Sequence, residues 1–276
     1  MPASAAAAPH SPTGEYNQFA DCPLSRASLK VCVYSESTAG FITMGKKTVP
    51  IKTPQILQGG LEYPDNLFEN VTFVGAEDGN TLVKTPQPVP GGLTGIVAPS
   101  WWPTILKDLF NETINNGFTG VTATVELAAP ASAIKFNALA LISRSGTGLT
   151  LPVKVKLNNS FLGSNCYIGS NSNPITLNLT TGTTSPPPPN TPITGSPGFI
   201  SENEAHTLLN FTNQRLVDNS FAAPGANGCG GILFSWAVDP FVNEIVGVPS
   251  AAGRNTAVLE GKIQLGEPAA IRASEP

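Results

Sequence analysis

Residues that could carry acid–base or metal chemistry are few in this chain and lie far apart. Of its two histidines, His10 falls in a segment rich in Ala, Ser and Pro, so imidazole chemistry would depend on His206. Glu202, Glu204 and His206 alternate, and a strand would present them on one face as three metal ligands. Such alternation more often marks a solvated strand face, so we predict no metal site.

Nucleophilic and glycosidase chemistry find little support. The chain has no GxSxG elbow, and a Ser–His–Asp triad would have to be built on His206. Glu126 and Asp239 stand in strand or helix contexts, but Glu126 shares a face with threonines and Asp239 precedes a proline as a helix N-cap. We predict no catalytic residue; the alternative, a hydrolase, would need two carboxylates about 5–10 Å apart in an open cleft.

Two loop-forming segments superficially match ligand-binding loops. Residues 77–80, Glu-Asp-Gly-Asn, lack the spaced carboxylates and the distal bidentate Glu of a calcium loop. Residues 225–231 are dense in glycine but have no P-loop lysine. We predict tight turns at both places and expect no cofactor.

Four cysteines indicate an oxidising compartment, because disulfides persist there. Cys22 and Cys32 are close in sequence and lead into the first predicted strand. Cys166 and Cys229 lie in distant loops rich in Gly, Asn and Ser, and none of the four forms a CxxC motif. We favour the pairs Cys22–Cys32 and Cys166–Cys229 over the other pairings, and four unpaired buried thiols are the alternative.

Most of the protein surface must be solvated by neutral polar groups, because charged residues are scarce. Only 12% of the residues are Asp, Glu, Lys or Arg, against about 25% in an ordinary soluble domain. With 15 scattered Lys and Arg and a formal net charge of −4, the chain has no basic face for phosphate, which excludes nucleic-acid binding. No apolar run approaches the roughly 20 residues of a membrane-spanning helix, so we predict no transmembrane segment.

Alternating β-branched and polar residues predict roughly ten short antiparallel strands. The segments with this pattern are residues 29–35, 40–44, 48–52, 70–74, 81–84, 118–127, 133–142, 149–157, 175–179, 205–211, 232–238 and 255–265. Residues 103–116 and 239–246 instead predict helices, each with a proline in its first turn and a glycine after its end. The predicted fold class is all-β, an antiparallel β-sandwich with two inserted short α-helices.

Trp101 and Trp102 immediately precede the first of these helices. Their apolar context, like that of Trp236, favours burial in the core. A concave groove lined by Trp101 or Trp102 would instead be a candidate site for a glycan or a lipid, and burial of both rings would argue against it.

A single β-rich domain is predicted over residues 16–266. Residues 1–15 are similar to the small-residue tail of a cleaved signal peptide and are expected to be disordered, and residues 267–276 are expected to be loose. Residues 180–197 include four consecutive prolines and must be extended. A bridge from Cys166 to Cys229 would straddle them, which favours a surface loop over a linker between domains.

Four stretches of the chain resemble exported actinobacterial proteins of a family of unassigned function. They are LPVKVKL at residues 151–157, LGSNCYIG at 162–169, AAPGANGCGG at 222–231 and DPFVNEIVGVP at 239–249. The resemblance implies secretion and retained cysteines, and it supplies no catalytic residues.

These observations favour a secreted, non-enzymatic structural or self-assembling protein of the cell exterior. Its partner would be a copy of itself, in a homo-oligomer or a filament, or a component of the cell envelope. Low surface charge removes the repulsion that keeps exposed β edges apart. A secreted glycan- or lipid-binding module is the second hypothesis.

Overall fold

Two antiparallel β-sheets packed together form the body of the protein. The computed structural model describes residues 10–64, 71–94, 101–108 and 119–276. Within them the strands are, in chain order, β1 (Val31–Met44), β2 (Lys47–Pro50), β3 (Gln55–Glu62), β4 (Thr72–Gly75), β5 (Gln87–Pro88), β6 (Thr122–Leu127), β7 (Lys135–Phe136), β8 (Leu149–Asn158), β9 (Tyr167–Ile168), β10 (Ile175–Leu179), β11 (Phe199–Glu202), β12 (Leu208–Asp218), β13 (Ala226–Asn227) and β14 (Thr256–Gly266). The predicted all-β sandwich is confirmed.

Every strand pair in the described residues is antiparallel. The first sheet has the order β11–β12–β14–β1–β3–β4, with β2 paired to β1. The second has the order β13–β9–β8–β6–β5, with β7 and β10 paired to β8. The longest pairing joins β1 to β14, from Cys32 opposite Gly266 to Thr43 opposite Thr256.

The alternation of β8 shows why the sheets pack. Its inward side chains are buried, and they are Leu149, Leu151, Val153, Val155 and Leu157. The lysines between them, Lys154 and Lys156, remain partly exposed. The inward residues form one apolar core with Phe73, Phe211 and Ile263 of the first sheet. Burial on a single face sets the register, because a slip by one residue would turn the lysines inward.

The segments predicted as strands at residues 40–44 and 48–52 pair as a hairpin, whereas those predicted at residues 70–74 and 81–84 do not pair with each other. In the first, Phe41 faces Pro50 and Met44 faces Lys47. At the second, β4 pairs with β3, and Leu82 beyond the turn bridges Leu57 of the same strand. Both arms therefore extend along β3 instead of pairing with each other; residue 70 lies outside the described residues.

The strand predicted at residues 133–142 is also wrong. A short 3₁₀ turn (Ala131–Ala133) and β7 are followed by a helix, α1 (Ala138–Ser143). The Asn137 side chain accepts a hydrogen bond from the Ala140 backbone N–H at 2.9 Å and so caps the first turn. Ala and Leu favour the helix once that cap is in place.

The strand predicted at residues 232–238 and the helix predicted at 239–246 form one continuous helix, α2 (Gly231–Val246). Asp239 and Pro240 lie inside it, so neither begins a helix. Val238, Val242 and Val246 are buried at a spacing of four residues, which is a helical stripe. The end is as predicted: Gly247, with a φ of 78°, donates its backbone N–H to the Asn243 carbonyl at 2.8 Å. Of the other predicted helix, residues 104–108 are helical and 109–116 lie outside the described residues.

Both described ends of the chain are packed, contrary to the expectation of loose tails. A last helix, α3 (Pro268–Ala273), buries Ile271 completely in a small cluster beside the Cys22–Cys32 region. His10 lies 2.9 Å from Glu77 and 2.9 Å from Glu275, and it joins the two termini to the turn after β4. Apolar burial and these contacts between His10 and the two glutamates explain why the ends are held; residues 1–9 lie outside the described part.

The Pro-rich segment at residues 180–197 docks on the sandwich. Asn190 donates from its side-chain amide to the carbonyls of Asn219 at 2.9 Å and Asn255 at 2.8 Å. The hydroxyls of Thr183 and Thr194 pair at 2.9 Å across the loop. Hydrogen bonds to the loop ends of the first sheet thus hold this low-complexity segment in place.

The buried side chain of Asn255 connects three segments, and its loss should destabilise the fold. Its carbonyl accepts from the Gly45 N–H at 3.0 Å, and its amide donates to the Phe221 carbonyl at 2.8 Å. We expect Asn255→Ala to lower the free energy of unfolding by about 3 kcal/mol, because buried backbone groups lose their partners. Asn178→Ala, at an exposed position on β10, should stay within about 0.5 kcal/mol of the wild type. Urea denaturation measures both, and equal losses would contradict this role.

Candidate functional site

An uncharged apolar surface on α2 is the most unusual feature of the described residues. Five large side chains point into solvent, and we call them the α2 patch: Ile232, Leu233, Phe234, Trp236 and Phe241, exposed by 99%, 76%, 61%, 78% and 45%. Ala237 and Pro240 between them are exposed as well. Large contiguous apolar patches on a protein surface mark interaction sites. The expectation that Trp236 belongs to the core is wrong.

The other face of α2 explains how a helix can expose so much apolar surface. Val242 and Val246, with one side of the partly exposed Phe241, line an apolar cavity of about 30 Å³ together with Val121 and Leu157. The first two turns contribute little to this contact, because Val238 is the first buried residue of the helix. Residues 231–238 are apolar on both faces apart from one serine, so the run lacks the polar face that usually reveals a helix.

The start of α2 is fixed by several independent contacts. The Cys166–Cys229 disulfide, with a Cα–Cα distance of 4.0 Å, joins the residue before β9 to the loop before the helix. The Asp239 carboxylate reaches back and accepts the backbone N–H groups of Cys229 at 2.8 Å and Gly228 at 3.2 Å. The Gly230 N–H donates to the Leu162 carbonyl at 2.7 Å. Asp239 therefore caps this loop from inside the helix.

Glycine is required at position 230. Its φ is 76°, and a Cβ there would lie 2.6 Å from Val238 Cγ2. Only a residue without a side chain lets the loop turn this tightly against the first buried valine of α2. The disulfide, the carboxylate and this close approach together set the direction in which the α2 patch faces.

The charged side chains of α2 are Asp239, which faces the preceding loop, and Glu244 near the end of the helix. Glu244 pairs with Lys46 of the β1–β2 turn, with Nζ and Oε1 2.6 Å apart. The hydrogen bond and charge of Lys46 hold the pKa of Glu244 below its ordinary value. The pair lies beyond the last residue of the α2 patch in the chain, which leaves the patch itself uncharged.

The structure confirms both favoured disulfides and places the tryptophans differently from the expectation. Cys22 pairs with Cys32 and Cys166 with Cys229, so all four cysteines are bridged. Trp101 is 79% exposed and therefore not a core residue. It meets Trp102 edge to face, with ring centroids 6.2 Å apart. The residues on both sides, 95–100 and 109–118, lie outside the described part of the chain.

The acids and the histidine considered for catalysis have separate surroundings. Glu202 ends β11, and His206 sits in the following turn with a φ of 55°, so the predicted strand at residues 205–211 begins only at Leu208. Both side chains are exposed, and His206 Nδ1 lies at hydrogen-bond distance, 2.6 Å, from Glu202 Oε2. Glu126 lies 3.5 Å from the Tyr167 hydroxyl. Burial and the Glu126 charge raise the pKa of that hydroxyl.

The cavities offer little room for an enclosed ligand. The apolar one beneath α2 and another lined by Met44, Val49 and Val155 measure about 30 and 40 Å³, whereas ligand pockets typically hold about 300–1,000 Å³. Three larger depressions of about 380, 400 and 600 Å³ are open to solvent, and the first contains Glu202 and His206. Neither Trp101 nor Trp102 lines any of these five cavities.

The two disulfides should differ in their effect on stability and on α2. With a sequence separation of 63 between its cysteines, against 10 for the other pair, the Cys166–Cys229 bridge closes the longer loop. Replacing its two cysteines by alanine should cost about 4 kcal/mol, and replacing the Cys22–Cys32 pair about 3 kcal/mol. Only the first replacement should speed hydrogen exchange in the first turns of α2. Urea denaturation and exchange of both variants measure this; unchanged exchange in α2 would show that other contacts fix the helix.

Among the described residues, no helix is long and apolar enough to span a membrane, and no group of three or more His, Cys, Asp or Glu side chains could hold a metal ion. Comparison with known proteins gave no match: no protein-family model, curated protein or solved structure is significantly similar to this chain. The α2 patch is therefore interpreted from its own geometry.

Proposed function

We propose that this chain is an exported, non-enzymatic structural protein that acts at the cell exterior by associating with copies of itself. The observation that carries the proposal is the α2 patch, a rigidly mounted row of exposed apolar and aromatic side chains. Aromatic residues are enriched in the cores of protein interfaces, and charged residues are depleted there. The patch has both properties.

Export is supported by the cysteines and by the composition. Both disulfides are compatible with an oxidising compartment, where such bonds persist. The low charge and the resemblance to exported actinobacterial proteins point the same way. Secretion and that relationship remain predictions.

The non-enzymatic part of the proposal rests on what the candidate acids do. Asp239 holds the loop before α2, and Glu126 meets a tyrosine hydroxyl. Glu202 and His206 pair with each other in an open depression, where solvent surrounds both side chains. Each of these groups therefore has a partner within the fold.

Self-association is tested by sedimentation velocity and light scattering over a wide range of protein concentration. We expect a species of at least twice the monomer mass of 28.6 kDa, whose fraction rises with concentration. Reducing agent should be left out, so that the disulfides and α2 stay intact. A strict monomer at the highest soluble concentration would overturn the proposed function.

A glycan-binding module is the second candidate, and the exposed ring of Trp101 favours it. An exposed indole can stack on the apolar face of a sugar. If this function holds, soluble envelope oligosaccharides should change tryptophan fluorescence on titration, and Trp101→Ala should weaken binding by about tenfold or more. Trp236→Ala is the matched control and should bind as the wild type does. No response from the wild type would remove this candidate.

A further inference from the structure

We infer that the α2 patch is the interface of a two-fold symmetric dimer, in which α2 of one copy packs against α2 of the second. The inference rests on the proposed function and adds the surface, the partner and the symmetry. Most soluble oligomers of one chain are closed and symmetric, and in a two-fold dimer the same patch meets itself. The patch must then be self-complementary in area, charge and shape.

The area is close to what a stable dimer needs. The three aromatic side chains of the patch carry about 150–250 Å² each, and with Ile232 and Leu233 the exposed portion is on the order of 600 Å². A standard interface buries about 800 Å² on each partner. The flanking residues Ala237, Pro240 and Glu244 are also exposed and would supply part of the remainder. Because Ile232 and Phe234 lie on opposite flanks of the helix, one packed helix would cover only part of this area, and surrounding residues would supply the rest of the interface.

The charges favour a second copy over a lipid surface. Helices that lie on membranes carry Lys and Arg that attract anionic lipids. Residues 231–246 contain no Lys or Arg and two acids, and the chain carries a net charge of −4. A copy of the same face brings few charges against the patch, because the Asp239 carboxylate faces the backbone N–H groups of Gly228 and Cys229 and Lys46 offsets the charge of Glu244. Two such faces meet with little repulsion.

The shape of the exposed ridge suggests how the helices cross. Leu233, Trp236, Ala237 and Pro240 follow one another at the i, i+3, i+4 and i+7 spacing of a single helix face. Ala237 is the small residue near the middle of this ridge. A crossing centred there brings the two backbones close and lays Trp236 of each copy beside Ala237 of the other. Little conformational freedom is lost, because the disulfide and Asp239 already hold the helix.

A charge placed in the patch should separate the copies without unfolding them. Leu233→Asp introduces an acid in the first turn of α2, where the helix dipole favours it, at a position 76% exposed in the monomer. We expect the dimer dissociation constant to rise by about 100-fold or more in sedimentation equilibrium. Phe199→Asp, on the edge strand β11 at 74% exposure, is the matched control and should leave the constant unchanged. Thermal unfolding of both variants checks that the fold is retained.

A single cysteine at the crossing point tests the symmetry. Under mild oxidation, Ala237→Cys should form an intermolecular disulfide, because a residue near a two-fold axis meets its own copy. Leu139→Cys, exposed on α1, should stay largely monomeric on a non-reducing gel. Rapid cross-linking of both variants would overturn the two-fold arrangement. So would the absence of cross-linking in both variants, if the protein sediments as a dimer.

The outcomes separate this inference from the proposed function. If the wild type associates, and Phe199→Asp weakens association while Leu233→Asp does not, the β11 edge is the interface: the inference fails and the function stands. A monomer at all concentrations overturns both. If that monomer floats with phosphatidylcholine or phosphatidylglycerol vesicles and Leu233→Asp abolishes the flotation, the patch binds lipid instead.

Discussion

The contacts that fix the start of α2 are the constraint on which its exposed surface depends. The Cys166–Cys229 bridge joins the helix to the second sheet, and Asp239 accepts two backbone N–H groups of the loop that precedes it. Without them, the first two turns would be held by little apolar burial, since Val238 is the first fully buried residue of the helix. Covalent and polar contacts thus take the place that packing has in an ordinary surface helix.

A helix held in this way presents its side chains at small conformational cost. Residues 232–236 contribute little hydrophobic free energy to folding, because most of their surface remains exposed to solvent. A partner that covered these side chains would bury that apolar surface. The backbone is already ordered, so association does not have to order it. In the proposed dimer, folding would depend on the buried Val238, Val242 and Val246, and association on the exposed side chains of the α2 patch.

Sequence patterns correctly predicted the strands that bury one face and expose the other face to solvent. β8 and β10 alternate with a period of two and lie where expected. The pattern failed at residues 232–238, because a run that is apolar on both faces has no period that separates a strand from a helix. It failed again after β4, where the turn was recognised but Leu82 pairs with Leu57, a contact set by the sheet as a whole.

The candidate site was harder to predict than the fold for a related reason. Both disulfides were predicted from spacing and loop composition, which are local properties. The exposure of Trp101 and Trp236 was missed because an apolar neighbourhood in sequence indicates burial only when those neighbours are themselves buried. At Trp236, the neighbours Leu233 and Ala237 are exposed too. The sequence nevertheless contained a signal for this helix. Residues 231–246 are long enough to form one helix, and Gly247, a helix-terminating residue, follows them.

Several of the few charged residues of the chain stabilise the fold and do not belong to the α2 patch. His10 lies between Glu77 and Glu275, and Arg215 pairs with Glu260 across β12 and β14. Charges used in this way contribute little to recognition at a distance, because exposed pairs are screened and weak. In the proposed dimer, selectivity would then come from the position of the apolar side chains of α2, whose start is held by the Cys166–Cys229 disulfide and by Asp239.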